Sequence, residues 1–121
     1  MAKDLNVFDK EYGLLINGAW TSPGTLLDSY NPANGETLAK FTDASDADVD
    51  AAVAAAQEAF KTWRKTTTTE RAAILNKIAD VIDENLELFA LQETLDNGKP
   101  IRETRAADIP LASDHFRYFA S

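Results

Sequence analysis

The chain contains 121 residues, of which 20 are acidic and 12 are basic, so its net charge is −8 and its pI is near 4.5. The composition, 45% hydrophobic and 26% charged, is typical of a folded globular protein rather than a disordered one, and the acidic balance disfavours binding to DNA, RNA or anionic lipid. Cysteine is absent and His115 is the single histidine, which excludes a disulfide, a thiolate metal site and a cysteine nucleophile and leaves little for a histidine cluster.

No targeting or membrane segment is recognisable in the sequence. Residues 1–6 lack the apolar core of a secretory signal, and no later apolar run approaches the length needed to cross a bilayer. We therefore expect a cytoplasmic protein with no membrane partner.

The first forty residues are predicted to form two β-hairpins. Asn17-Gly18 separates two short apolar runs, and this dipeptide readily adopts the positive φ angles of a type I′ turn. A second turn cluster, Asn-Pro-Ala-Asn-Gly at residues 31–35, separates the next two runs. The four predicted strands cover residues 14–16, 19–21, 26–30 and 36–41.

A first helix is predicted to begin after Ser45. Ser45 is the expected N-cap, and three aspartates lie in the first turns, where the helix dipole favours anions. The helix is expected to end between Trp63 and Lys65. The apolar residues that share one helix face are spaced 4, 3, 4 and 3 apart; they are Val49, Val53, Ala56, Phe60 and Trp63.

Two further helices are predicted before residue 98. Thr67 and Glu70 have the spacing of a capping box, and isoleucines follow at every fourth position until the helix ends near residues 84–85. A third helix is expected over the apolar residues from 86 to 95. It should stop at residues 97–100, since Gly98 tolerates the left-handed conformation of a helix C-terminus and a proline follows.

The last predicted helix begins at Ile101. Apolar residues continue at helical spacing to Phe119, with Pro110 among them. Because proline has no backbone N–H, we expect a kink or a restart there. The aromatic residues at 116–119 stand directly before Ser121, which we interpret as a hint that the chain is cut inside a larger fold.

Two local patterns suggest known sites but do not meet their requirements. Residues 46–50 begin like a calcium-binding loop, but the positions that need glycine and glutamate hold Ala51 and Gln57. Ser113-Asp114-His115 has the residue types of a hydrolase triad, yet neighbours in a helix do not face each other. No glycine-rich phosphate-binding motif is present. The residues alone therefore predict a mainly helical module with an N-terminal β section.

Several stretches together resemble the N-terminal segment of the NAD(P)-dependent aldehyde dehydrogenase family, in the family's order and spacing over nearly the whole chain. They include Leu-Ile-Asn-Gly-Ala-Trp at 15–20, Asn-Pro-Ala-Asn-Gly-Glu at 31–36 and Glu-Thr-Leu-Asp-Asn-Gly-Lys-Pro at 93–100. Shorter matches lie at residues 48–53, 59–60, 63–64, 70–71, 78–80 and 84–85. Residues 107–120 are most similar to the bacterial acetaldehyde dehydrogenase branch.

The resemblance implies a covalent mechanism whose reacting groups are not in this chain. In the family, a cysteine thiolate attacks the aldehyde, a hydride passes to the nicotinamide, and water hydrolyses the thioester. The cysteine, the general-base glutamate, the oxyanion-hole asparagine and the cofactor-binding lysine lie beyond the matched segment. We therefore assign no catalytic and no cofactor-binding residue here, and expect NAD or NADP to bind in the parent family only. Because the chain has no cysteine, we expect it to be inactive alone.

The resemblance also implies two lesser sites. Family members hold a monovalent cation with an aspartate that maps to Asp96 and with backbone carbonyls that map to Ser29 or Tyr30; a further ligand comes from later sequence, so we expect weak or no binding. The family's substrate tunnel is lined partly by the helix after Lys-Pro, where Ala107 and Leu111 match tunnel-facing positions. The alternative interpretations are a helix-end residue for Asp96 and ordinary helix packing for the other two.

The predicted fold is α+β and mainly helical, with β-hairpins over residues 1–43 and about four helices over residues 44–121, as the N-terminal segment of an aldehyde dehydrogenase cofactor-binding domain. The leading hypothesis is a truncated aldehyde dehydrogenase, with acetaldehyde as the suggested substrate. The alternative is a noncatalytic helical module that self-associates or binds a full-length dehydrogenase subunit. Since open apolar helix faces cost about 25 cal/mol per Å² relative to burial, we expect a homo-oligomer through exposed helix faces, or association with the remainder of the enzyme.

Overall fold

The computed structural model describes residues 8–121. The expectation of no signal sequence at residues 1–6, and the start of the predicted β section, lie outside the described residues. The chain divides into two compact units. The described part of the first unit comprises residues 8–30 and Gly35–Lys65, and the second unit comprises Asn31–Asn34 and Thr66–Ser121.

Both predicted hairpins are confirmed. Two strands of the first unit, β2 (Leu15–Ile16) and β3 (Ala19–Trp20), pair antiparallel around Asn17 (φ 52°) and Gly18 (φ 76°), which have the positive φ angles of the predicted turn. The strands β4 (Leu26–Tyr30) and β5 (Thr37–Thr42) also pair antiparallel, with Leu27 opposite Phe41. The strand bounds within the described residues are β1 (Glu11–Tyr12), β2 (Leu15–Ile16), β3 (Ala19–Trp20), β4 (Leu26–Tyr30) and β5 (Thr37–Thr42).

The structure adds a strand that the sequence pattern did not predict. Strand β1 pairs parallel with β5, so that β5 is the central strand of a sheet with the order β1-β5-β4. The Thr42 hydroxyl donates to the Tyr12 carbonyl over 2.8 Å, and the Lys40 N–H donates to the Lys10 carbonyl over 2.9 Å. A strand of two residues has no periodicity to detect, so only its partner defines it.

The helices confirm the mainly helical prediction. The fourth predicted helix is one continuous helical stretch in three parts, and its central part is π-helical. The restart expected at Pro110 is present, because an α-helix begins at Ile109 directly after the π-helical segment. The bounds are α1 (Asp46–Trp63), α2 (Thr68–Glu84), α3 (Leu86–Asn97), α4 (Ile101–Glu103), the π-helical segment (Thr104–Asp108) and α5 (Ile109–Ala120).

Reciprocal capping boxes begin the two longest helices. At α1 the Ser45 N–H donates to Asp48 Oδ2 over 2.9 Å, and the Asp48 N–H donates to Ser45 Oγ over 3.3 Å. Thr67 and Glu70 make the same exchange at α2, as predicted. These hydrogen bonds stabilise the carboxylates, so the pKa values of Asp48 and Glu70 are lowered.

Small residues occupy the most buried positions of the second unit. Among the described residues, Ala79, Ala90 and Thr104 are fully buried and Ser113 is 3% exposed. Helix α5 packs along α2, where the Arg117 guanidinium contacts Asp80 and Asp83. Small side chains at such positions let helix backbones approach closely, while larger apolar side chains stay partly exposed.

Within residues 8–121, none of the helices combines the length and the apolar character needed to cross a membrane.

Candidate functional site

The two residues matched to the substrate tunnel lie on the last helical stretch. Ala107 belongs to the π-helical segment and Leu111 to α5. Both are exposed, and Leu111 has 53% of its surface accessible. The two residues stand four positions apart on one continuous helical stretch. An exposed apolar pair is suited to contacting an apolar substrate or another protein segment, and it carries no chemistry of its own.

Thr104 anchors the start of the π-helical segment to α3. Its Oγ1 lies 3.0 Å from the Ala90 carbonyl oxygen and 3.0 Å from the Thr94 hydroxyl. A hydroxyl has one proton and two lone pairs, and a carbonyl can only accept. Thr104 therefore donates to carbonyl oxygens, that of Ala90 at 3.0 Å and that of Ile101 at 3.2 Å, and accepts from Thr94. Nothing in the sequence distinguishes Thr104, because a threonine within a helical pattern carries no signal of burial.

An ion pair links Lys99, which follows α3, to Asp108, which ends the π-helical segment before Leu111. The Lys99 ammonium donates to Asp108 Oδ1 over 2.7 Å and lies 2.6 Å from Oδ2. The hydrogen bond to Asp108 is the main cause that raises the pKa of Lys99. The contact joins the loop after α3 to the last residue of the π-helical segment, three residues before Leu111.

Two motifs that stand far apart in the sequence meet in the second unit. The Asn31 side chain accepts a hydrogen bond from the Ala33 N–H over 2.9 Å, which closes the turn around Pro32. Gly98, which ends α3 with φ 81°, lies against the Pro32 ring. The turn around Pro32 therefore packs against the end of α3 at Gly98, and each stabilises the other.

The residues matched to a cation site are divided between the two units. Asp96 is exposed in the last turn of α3, whereas Ser29 is half-buried and Tyr30 exposed at the end of β4. The Tyr30 hydroxyl donates to Asp28 Oδ2 over 3.0 Å, which raises the pKa of Tyr30. Within residues 8–121, no group of three or more His, Cys, Asp or Glu side chains has the arrangement of a metal site. Neither unit by itself contains all three predicted ligands.

The N-termini of α1, α2 and α3 do not fit the pyrophosphate of a nicotinamide dinucleotide. Such cofactors place a pyrophosphate at a helix N-terminus, where free N–H groups and the dipole favour an anion. At α1 and α2 the Asp48 and Glu70 carboxylates already occupy those positions through their capping boxes. A single residue, Asn85, separates α3 from α2, and Glu87 lies in the first turn of α3. A pyrophosphate at these three helices would meet negative charge.

The rejected triad residues are held apart by the helix, as expected. The buried Ser113 hydroxyl donates to the Pro110 carbonyl over 3.0 Å. His115 is exposed and borders an apolar recess of about 250 Å³ with Leu75, Phe116 and Phe119. His115 is the one titratable side chain among these four, so the recess offers no acid–base pair.

Comparison with known proteins places residues 20–121 in one family. The family model described as "Aldehyde dehydrogenase family" matches residues 20–121. The chain is 50% identical over 117 residues to acetaldehyde dehydrogenase 2 of Cupriavidus necator, covering 95% of this chain and 23% of that protein. It is 48% identical over 116 residues to an aldehyde dehydrogenase of Rhodospirillum rubrum, again covering 23% of the relative.

Solved structures agree with these matches. The fold matches aldehyde dehydrogenase of Bacillus cereus in its NAD⁺ complex with a TM-score of 0.88 and 40% identity, covering 93% of this chain and 24% of that one. An aldehyde dehydrogenase of Burkholderia cenocepacia matches with a TM-score of 0.86 and 40% identity, over 90% and 23% of the two chains. The chain thus spans about a quarter of the length of the relatives it matches. The short strands and the helices that follow are those of the N-terminal region of these enzymes, and the chain belongs to the aldehyde dehydrogenase family of oxidoreductases.

Proposed function

We propose that this chain is a partial aldehyde dehydrogenase that is inactive alone and whose parent activity is the NAD(P)-dependent oxidation of an aldehyde to a carboxylic acid. The observation that carries the proposal is the match of 95% of the chain to 23% of acetaldehyde dehydrogenase 2 of Cupriavidus necator. That relative's name makes acetaldehyde the leading substrate. Inactivity is supported by the absence of cysteine, because the covalent step needs a thiolate.

In this proposal the chain supplies structure and part of the substrate passage rather than reacting groups. It forms the first segment of the cofactor-binding domain, and the remainder of the enzyme binds NAD or NADP. The exposed apolar side chains of Ala107 and Leu111 form part of the tunnel wall. Asp96 is proposed to contribute to a monovalent cation site with the carbonyls of Ser29 or Tyr30. The proposal includes the cytoplasmic location expected from the sequence.

The test joins this chain to the parts it is proposed to lack. Residues 1–121 replace the matched segment of the Cupriavidus necator enzyme, which gives a joined enzyme of full length. We expect the joined enzyme to form NADH or NADPH from acetaldehyde, and the isolated chain to form none under the same conditions. The intact relative is the positive control. Turnover by the isolated chain, or a folded but inactive joined enzyme, contradicts the proposal.

A second candidate function is favoured by the exposed aromatic side chains of α5. Tyr118 and Phe119 each have 72% of their surface exposed and contact each other edge to face, with ring centroids 5.2 Å apart. Such a surface suits a noncatalytic module that pairs with itself or with a full-length dehydrogenase subunit. Light scattering of the isolated chain, alone and mixed with the intact relative, measures both associations. A monomer that binds no dehydrogenase subunit rules this candidate out.

A further inference from the structure

We infer that Thr104 is a positioning residue that sets the length of aldehyde the enzyme accepts, by fixing the π-helical segment that carries Ala107 and leads to Leu111. This inference rests on the proposed function. It assigns the role to a residue that is fully buried and that would not touch the substrate.

Thr104 is held at three points of the fold. Its one hydroxyl proton faces the Ala90 carbonyl of α3, fourteen residues earlier, at 3.0 Å and the Ile101 carbonyl of its own helical stretch at 3.2 Å. Its N–H donates to the Pro100 carbonyl over 3.2 Å, and its carbonyl accepts from the Ile109 N–H, five residues later. The last of these hydrogen bonds defines the π-helical turn, so the residue that begins the turn is also the one tied to α3.

The π-helical turn determines which side chains of α5 are turned toward α3. A π-helical turn contains one residue more than an α-helical turn, and each residue of an α-helix is rotated about 100° from the one before. Conversion of residues 104–108 to α-helix would therefore rotate Leu111 by about one residue position relative to α3. Such segments are rare because α-helix is the ordinary alternative. An anchor outside the segment, here the Ala90 carbonyl, favours the π-helical form.

The hydroxyl of Thr104, rather than the shape of its side chain, anchors the π-helical segment in this proposal. Thr104→Val keeps the volume and the β-branch but removes the hydrogen bond to the Ala90 carbonyl and leaves the Thr94 hydroxyl without this acceptor. Buried polar groups that lose a partner favour any rearrangement that restores one. The valine variant therefore favours a change of the segment, whereas Thr104→Ser keeps both hydrogen bonds.

The experiment measures kcat/KM of the joined enzyme for straight-chain aldehydes from two to eight carbons. For Thr104→Val we expect the ratio of kcat/KM for octanal to that for acetaldehyde to change by about 10-fold, the discrimination that one misplaced methylene-sized contact can produce. Thr104→Ser should restore the parental ratio. The matched control is Ser113→Ala, which removes another buried hydroxyl of the same helical stretch; it should lower stability and leave the ratio unchanged.

The outcomes separate this inference from the proposed function. An inactive joined enzyme without substitutions overturns the proposed function itself. An active joined enzyme in which folded Thr104→Val keeps the parental ratio, or Ser113→Ala changes it equally, overturns only the role of Thr104. Should Thr104→Val fail to fold, Thr94→Val replaces it, since it removes the partly buried donor to the Thr104 hydroxyl. We expect a smaller shift of the ratio for that variant, and an unchanged ratio then overturns the inference.

Discussion

Gly98 and Pro32 are in contact, and a methyl group on Gly98 would lie 2.9 Å from Pro32 Cγ. The φ angle of Gly98 is 81°, which a residue with a side chain rarely adopts. The Gly98 N–H donates to the Thr94 carbonyl over 3.0 Å, so this geometry ends α3. Position 98 therefore requires glycine for two independent reasons: its positive φ angle, and the lack of space for a Cβ beside Pro32.

We predict that Gly98→Ala destabilises the protein more than an alanine at another glycine of the same conformation. The matched control is Gly35→Ala, because Gly35 has φ 75° and nothing within 4 Å of its added methyl group. The left-handed conformation costs about 1–2 kcal/mol for a residue with a Cβ, and only Gly98→Ala adds the collision with Pro32. Urea unfolding measures both variants. Equal losses would show that the Pro32 contact has no energetic effect.

The capping boxes give the stability a defined dependence on pH. The pKa of Asp48 is lowered from its ordinary 3.8 chiefly by hydrogen bonds from Ser45. A carboxylate with a lowered pKa in the folded state stabilises the fold above the ordinary pKa, and that contribution is lost as the pH falls through the folded value. We therefore expect Asp48→Asn to lower Tm at pH 6–7, with the difference from the parent shrinking below pH 3.8.

The control for this prediction is Asp46→Asn, since Asp46 lies in the same first turn but does not close the capping box. It should show a smaller difference that varies less with pH. The same series with Glu70→Gln should behave like Asp48→Asn, because Thr67 lowers the pKa of Glu70 from 4.5 in the same way. A difference in Tm between these variants and the parent that stays constant from pH 7 to pH 2 would contradict this prediction.

Arg117 joins α5 to α2 through two ion pairs. Its Nη1 donates to Asp80 Oδ1 over 3.1 Å and its Nη2 to Asp83 Oδ2 over 2.5 Å. Arg117→Gln should lower Tm, because it removes both pairs and leaves two carboxylates three residues apart. It should also reduce the sensitivity of Tm to sodium chloride, since salt screens partly exposed charges.

Arg102→Gln is the control for that variant. The Arg102 guanidinium pairs with Glu103, its immediate neighbour, and its side chain is 86% exposed. Exposed pairs of this kind contribute little, so Tm should change by less than for Arg117→Gln. If Arg102→Gln lowers Tm as much as Arg117→Gln does, the ion pairs between α5 and α2 are not the cause of the lower Tm of Arg117→Gln.

Leu111 is predicted to affect the aldehydes that the joined enzyme accepts. If Leu111 forms part of the tunnel wall, Leu111→Phe narrows it and should lower kcat/KM for octanal about 10-fold relative to acetaldehyde. Leu91→Phe is the control, since Leu91 is an exposed leucine of α3 that is not matched to the tunnel. If Leu111→Phe and Leu91→Phe have the same ratio of kcat/KM for octanal to that for acetaldehyde, Leu111 does not line the tunnel.

Much of the local structure could be predicted because its signals lie within a few residues of each other. Asn17 and Gly18 adopt the positive φ angles that a tight turn needs, and Thr67 with Glu70 forms the predicted capping box. The end of α3 at Gly98 follows from the same local reasoning. The sequence predicts Ser45 as the N-cap of α1, whereas the reciprocal hydrogen bond from its N–H to Asp48 is visible only in the structure.

The sequence by itself determined the family, the hairpins, the helix limits and the lack of a thiolate, since each depends on residue identity or on neighbours along the chain. Only the tertiary structure decided that β1 pairs with β5, that Gly98 meets Pro32, and that Thr104 is buried against Ala90. These contacts join residues 14 to 66 positions apart in the chain. Their existence depends on how whole elements pack, and periodicity within one element carries no information about its partner.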